Sequence, residues 1–251
     1  MSKTMTEGNL AGILIRFSIP LVLSGILQQM YAWADAFIVG NLVGEAALAA
    51  VGATVSLYNL FVLVVTGLTL GVSILAAQLY GQGEREKLRP LLSTFTVVLG
   101  AVFLAAGALG SLLAGPVLEL MSTTQDTIGM ARQYLEIVLL GLPVTAVYNV
   151  YAAVLRGMGE SKAPLYAVLV ASLVNVGADL LLVGPAGLGV RGAALATVAS
   201  QVMMTLFLVG WAVRKVPLLR SGPAGAVWSA DRCAGGWPWA CRWRSSPAST
   251  P

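Results

Sequence analysis

Apolar residues fall in six long blocks along the chain, parted by short polar or glycine-rich stretches. The blocks run over about 13–39, 46–79, 91–113, 128–155, 164–183 and 190–213. Each reaches the ~20 residues that cross a bilayer. A backbone in hydrocarbon must satisfy its own hydrogen bonds, and these runs are too long for barrel strands, so each predicts a helix. The expected fold is an all-α integral membrane bundle of six transmembrane helices over 1–216, followed by an atypical tail over 217–251. Pro20 and Pro143 lie inside the first and fourth blocks, where each removes a helical hydrogen bond and should bend its helix. Pro164 opens the fifth, where proline is tolerated.

Composition supports this class. The chain is 57% hydrophobic and 10% charged with mean hydropathy +0.83, against ~25% charged for soluble domains. Histidine is absent, which excludes a Ser–His–Asp arrangement and imidazole metal sites. The two cysteines, Cys233 and Cys241, both fall in the tail, so there is neither a disulfide framework nor a four-cysteine metal site. No nucleophile–base pair for a membrane enzyme is found, and no cleavable leader is expected, because the first run is too long. The +4 net charge sits between the blocks rather than in a patch, so it describes topology and not nucleic-acid binding.

Orientation follows from the basic residues. Arg85, Lys87 and Arg89 lie between blocks two and three, Arg156 and Lys162 between four and five, and Arg214, Lys215 and Arg220 after six. The opposite-side connections hold Arg191 alone, with Arg132 near the start of block four. The positive-inside rule then puts both termini in the cytoplasm. Counting at ~1.5 Å per residue, Asp35 and Asp179 each lie ~7 Å below the outer end of their helices, and Thr197 ~10 Å down.

These polar residues have companions at helical spacing. Gln28, Tyr31 and Asp35 line one face of helix one, and Asn175 and Asp179 share a face of helix five. Thr197, Gln201 and Thr205 follow one another by four residues on helix six, while Asn149 on helix four counts deeper. Asn59, Thr66, Ser73 and Thr205 read as ordinary helix–helix glue. The two acids do not. A carboxylate in hydrocarbon costs ~2.5–3.5 kcal/mol on insertion scales, and the span interiors supply no Lys or Arg to match it. Two close acids repel, so they should share a proton or a metal cation. Carboxylate, amide and hydroxyl oxygens from Asp35, Asp179, Asn175 and Thr197 suit Na⁺ or H⁺ rather than a soft metal. No other cofactor is expected. Gln28, Tyr31 and Gln201 are candidates to line an adjoining cavity.

The stretches FSIPLVLSGILQQMYAWADAFIVGNLVGEAALAAVG, YGQGEREKLRP, LRGMGESKAP, SLVNVGADLLLV and GVRGAALATVASQ, in this order and spacing, resemble the multidrug and toxic compound extrusion (MATE) family of cation-coupled antiporters. The resemblance covers about 8–215. It implies export of small amphiphilic organic compounds across the inner membrane by exchange for Na⁺ or H⁺, with no enzymatic activity. It also implies two six-helix lobes related by a pseudo-twofold axis, of which this chain carries the amino-terminal one. The site carried over from the family is Asp35, Asn149, Asn175, Asp179 and Thr197, which adds Asn149 to the set reached by depth. A related flippase for lipid-linked precursors would need basic groups in its cavity, and a non-transporting fragment is the remaining alternative.

The tail after Arg220 holds four of the six tryptophans and no run long enough to span. It reads as out-of-frame or unrelated sequence and is expected to be disordered, with a Trp/Arg interfacial segment as the alternative. Gly187, Gly189 and Gly192 match the spacing of a dinucleotide fingerprint, but they follow a membrane span rather than a strand, so the match carries no function. Glu136 with Arg132 reads as an exposed ion pair.

Overall fold

The computed structural model describes residues 10–121 and 125–216. They form α1 (Leu10–Leu42), α2 (Glu45–Gly81), a 3₁₀ turn (Arg85–Lys87), α3 (Leu88–Leu120), α4 (Gln125–Leu140), α5 (Leu142–Gly157), α6 (Lys162–Leu182) and α7 (Gly189–Lys215). They belong to one compact unit, Met1–Arg220, and the expectations for the tail lie outside the described residues. By length and composition, α2, α3 with its preceding turn, α6 and α7 can each cross a membrane. The pair α4–α5, bent by 44°, is a fifth when its two halves are taken as one broken span. The remaining helix, α1, has 33 residues and carries the polar side chains Gln28, Gln29 and Asp35. Large apolar side chains crowd the outer surface, with Leu112 78% and Phe37 71% exposed. A water-facing monomer does not carry so much contiguous apolar surface, whereas a lipid-facing one must.

The fourth block is two helices rather than one. Pro143 has no N–H to give the Leu139 carbonyl, and Gly141 closes the turn with a 3₁₀-type bond from its N–H to the Val138 carbonyl at 3.0 Å. The freed Leu139 carbonyl abuts Gly107 on α3, where any Cβ would overlap it. The other proline behaves differently: α1 stays helical straight through Pro20. Its neighbours Ser18, Ile19 and Leu21 continue the helix, with no glycine beside it to turn the chain.

The bent pair occupies the middle. Its halves touch α2, α3 and α7, while α6 and α7 pack as a hairpin and α1 lies mainly along α6. Val150 and Ala152 to Leu155 are all fully buried, so the lower half of the bundle is closed by close-packed aliphatic side chains. The α6–α7 connection begins at no strand, and Gly187 and Gly189 there have φ of 62° and 55°, a left-handed turn that glycine accommodates at little cost. That accounts for the fingerprint-like spacing. At the rims, Arg132 Nε meets Glu136 Oε1 at 2.7 Å on an exposed surface, as the sequence reading expects, and Lys87 Nζ meets Glu84 Oε2 at 2.6 Å.

Candidate cation site

The site follows from two stripes. On α6 the buried positions include Pro164, Val168, Ala171, Asn175 and Asp179, a run of three- and four-residue steps that keeps one face inward. Its lower members are apolar and its upper two are polar. On α1 the inward stripe passes from Pro20 through Ser24, Leu27 and Tyr31 to Asp35. Because α1 lies along α6, the polar ends of both stripes meet in the same half of the bundle.

Asp35 is 8% exposed, Asn175 1% and Asp179 0%, and the two carboxyl groups are direct neighbours. Among the described residues, the buried side-chain polar atoms without a hydrogen-bond partner are Asp35 Oδ1, both Asp179 oxygens, both Asn175 amide atoms and Thr96 Oγ1. All but the last belong to this one site. An unpaired buried polar group costs ~1–3 kcal/mol, more when charged. Two carboxylates cannot bond each other without a proton between them, and among the described residues no Lys or Arg is buried. The unsatisfied acceptors are four oxygens from Asp35, Asp179 and Asn175. Hard oxygens of this kind fit a proton or Na⁺. No cluster of three or more His, Cys, Asp or Glu residues occurs among the described residues, so the donor set does not suit a transition metal.

Tyr134 on α4 packs in one buried cluster with Val39 and Val183, one turn beyond Asp35 and Asp179 on their helices, and its hydroxyl lies near Thr197 on α7. The Thr197 hydroxyl proton goes to the Ala193 carbonyl at 3.0 Å. Tyr31 approaches Asp35, Tyr58 and Tyr148 from α1. One turn further along α7, Gln201 Nε2 donates to Tyr58 Oη at 2.8 Å and Gln201 Oε1 accepts from Thr145 Oγ1 at 3.1 Å.

Asp35, Asn175, Asp179 and, through Tyr134, Thr197 are therefore assembled in one place. Asn149 stands apart in its bonding: it is half-buried, and its Nδ2 donates to the Thr145 carbonyl of its own helix at 2.8 Å, with neither Asp179 oxygen accepting from it. Gln28 is exposed, because the buried stripe of α1 below Tyr31 drifts through Leu27 and Ser24 and leaves it at the margin. Tyr31 is half-buried and Gln201 buried. Tyr58 and Tyr134 are members that the spacing of acids and amides does not reveal. Their signal is a tyrosine in an otherwise aliphatic span, since a buried phenol needs a partner for its hydroxyl.

A lipid-facing helical bundle with paired acids sealed inside is the architecture of a multi-span membrane transport protein. The chain belongs to the MatE family, whose model matches residues 20–181. It is 34% identical over 210 residues to the probable multidrug resistance protein YoeA of Bacillus subtilis (strain 168), covering 80% of this chain and 45% of that protein. Among solved structures, a MATE transporter in a bent conformation matches with a TM-score of 0.77 at 25% identity, over 83% of this chain and 46% of that one. A MOP superfamily transporter from Pyrococcus furiosus matches with a TM-score of 0.74 at 26% identity, over 83% and 46%. The chain thus spans about half the length of the relatives it matches.

Proposed function

We propose that this chain is the cation-binding lobe of an antiporter that exports small amphiphilic organic compounds in exchange for Na⁺ or H⁺, working with a second six-helix lobe in the inner membrane with both termini cytoplasmic. The observation that carries the reading is the buried Asp35–Asp179 pair, with its unpartnered oxygens and no buried Lys or Arg among the described residues. A proton or Na⁺ supplies the missing positive charge there. Asn175 adds its carbonyl oxygen, and Thr197 and Asn149 lie on the helices that would complete the shell. A lobe that is strained when empty and relaxed when loaded changes its packing with ion occupancy, which is what exchange transport requires. The absence of any buried Lys or Arg among the described residues disfavours the flippase alternative, whose anionic cargo needs basic partners.

Thermal unfolding of the purified full chain, titrated with NaCl against choline chloride at constant ionic strength and then with acid at constant Na⁺, tests this. A site present only in the folded protein stabilises it by ~2.7 kcal/mol at one hundred times the dissociation constant. The midpoint should rise with the coupling ion in the parent, and Asp35→Asn and Asp179→Asn should each flatten that rise. A parent that answers neither ion, or variants that answer as the parent does, would remove the assignment.

A further inference from the structure

The break between α4 and α5 is gripped from outside by side chains of two other helices. Gly141 sits at the break, and a Cβ built there would lie 2.9 Å from Gln201 Oε1 and 3.1 Å from Val198 Cγ2. The Gln201 carboxamide therefore fills the place where residue 141 has no side chain. From that position it accepts from Thr145, the first residue past the break to resume regular i→i−4 bonding, with its N–H on the Gly141 carbonyl at 3.1 Å. It donates its other end to Tyr58 on α2. One turn on, the Thr205 hydroxyl is shared between the Gln201 carbonyl at 2.8 Å and the Val144 carbonyl at 3.3 Å. Gln201, Thr145 and Thr205 are all buried. Buried polar groups tied in a closed set hold one geometry firmly, because leaving any member unpaired is costly.

The same α7 face reaches the acids. Thr197 precedes Gln201 by four residues, so the two stack on one side of α7. Near Thr197, Tyr134 and Val138 of α4 share a buried cluster with Ile38 and Val39 of α1 and Val183 at the end of α6, one turn beyond Asp35 and Asp179. The upper half of the bent span is thus held at the acid pair, and its lower half is held at Gln201. Beside the break an apolar groove of about 300 Å³, lined by Pro143, Val144, Val147, Val202, Thr205 and Leu206, leaves room for α5 to move against α7.

From this geometry we infer that Gln201 is a positioning residue: with Tyr58 and Thr145 it latches the α4–α5 break and couples the charge on the Asp35–Asp179 pair to the angle of that bend. Neutralising the pair changes how α1 and α6 pack at the acids, and so against Tyr134 and Val138 of α4, and the latch passes the change on to α5. The coupling rests on the acid pair being the ion-loaded site, but its test does not depend on any ion binding.

The test is a double-mutant cycle read as a distance. Spin labels replace exposed Gly129 on α4 and half-buried Arg156 on α5 in the full chain, with Cys233→Ser and Cys241→Ser to remove the native thiols. At 1.5 Å per residue, full loss of a 44° bend would lengthen this separation by roughly 3 Å. The pair Asp35→Asn/Asp179→Asn mimics permanent neutralisation. In the otherwise native background it should shift the distance distribution within that range. In the Gln201→Met background, which keeps side-chain volume and loses both hydrogen bonds, the shift should vanish. Tyr58→Phe removes one arm of the latch while keeping the ring, and should reduce the shift if Gln201→Met does not fold. An unchanged distance on neutralisation overturns the inference, as does an equal shift in native and latch-deficient backgrounds. An intact cycle in a protein whose stability answers neither Na⁺ nor acid would refute the cation reading alone. An ion-responsive protein with a flat cycle would refute the coupling alone.

Discussion

Asp179→Asn is expected to raise the unfolding midpoint in ion-free buffer while abolishing stabilisation by the coupling ion. In the empty site two carboxylates face each other with no donor for three of their oxygens, and like charges at close range in a low dielectric oppose folding. Asparagine removes one charge at nearly constant volume and presents an N–H₂ to Asp35, whose Oδ1 has no partner. Relief of an unsatisfied buried acceptor is worth ~1–3 kcal/mol, and each kcal/mol moves the midpoint of a chain this long by ~2–4 °C. A rise of several degrees, together with a flat response to Na⁺ and acid, is the expected pair of results in a thermal scan. A functional site that is strained at rest gives this opposition between stability and activity. A fall in the ion-free midpoint would mean that Asp179 is satisfied structurally rather than held for an ion.

The second large effect is steric. Gly157, the last residue of α5, lies so close to α2 that a Cβ would stand 2.6 Å from the Ser73 carbonyl oxygen, 2.8 Å from Ala76 Cβ and 3.0 Å from Ala77 N. Two of these three atoms are backbone, and Ala76 is fully buried, so neither helix can yield by turning a side chain. Gly157→Ala must push α2 and α5 apart, at a cost of ~1–3 kcal/mol and a midpoint loss of ~2–12 °C. Gly177 on α6 is the control: it is exposed and a Cβ there meets nothing within 4 Å. Alanine at 177 should leave stability unchanged or raise it by up to ~1 kcal/mol through reduced backbone freedom. Equal losses at both positions would show that the close approach of Gly157 to α2 does not set the effect.

The order and approximate bounds of the apolar runs could be read from the chain, though not the split of the fourth into two helices, because hydrocarbon imposes one constraint on every span: about twenty apolar residues with their backbone bonded internally. Within that constraint an acid stands out, so Asp35 and Asp179 were visible, and shared direction and depth were enough to place them together. Helical spacing added Asn175, and depth along α7 added Thr197. Three features needed the tertiary structure. That Pro143 breaks its helix while α1 passes through Pro20 depends on Gly141 and on Gln201 filling the space beside it, a contact between residues sixty positions apart. That Tyr134 and Tyr58 belong to the polar centre and Gln28 stays at its margin depends on how far each stripe drifts as the helices cross. That Asn149 bonds its own helix depends on where its amide finds the nearest acceptor. Local sequence determines which faces are apolar and which are polar, because each residue carries its own transfer energy. Which polar faces meet is settled only when the helices pack, because that energy belongs to pairs of residues the sequence keeps far apart.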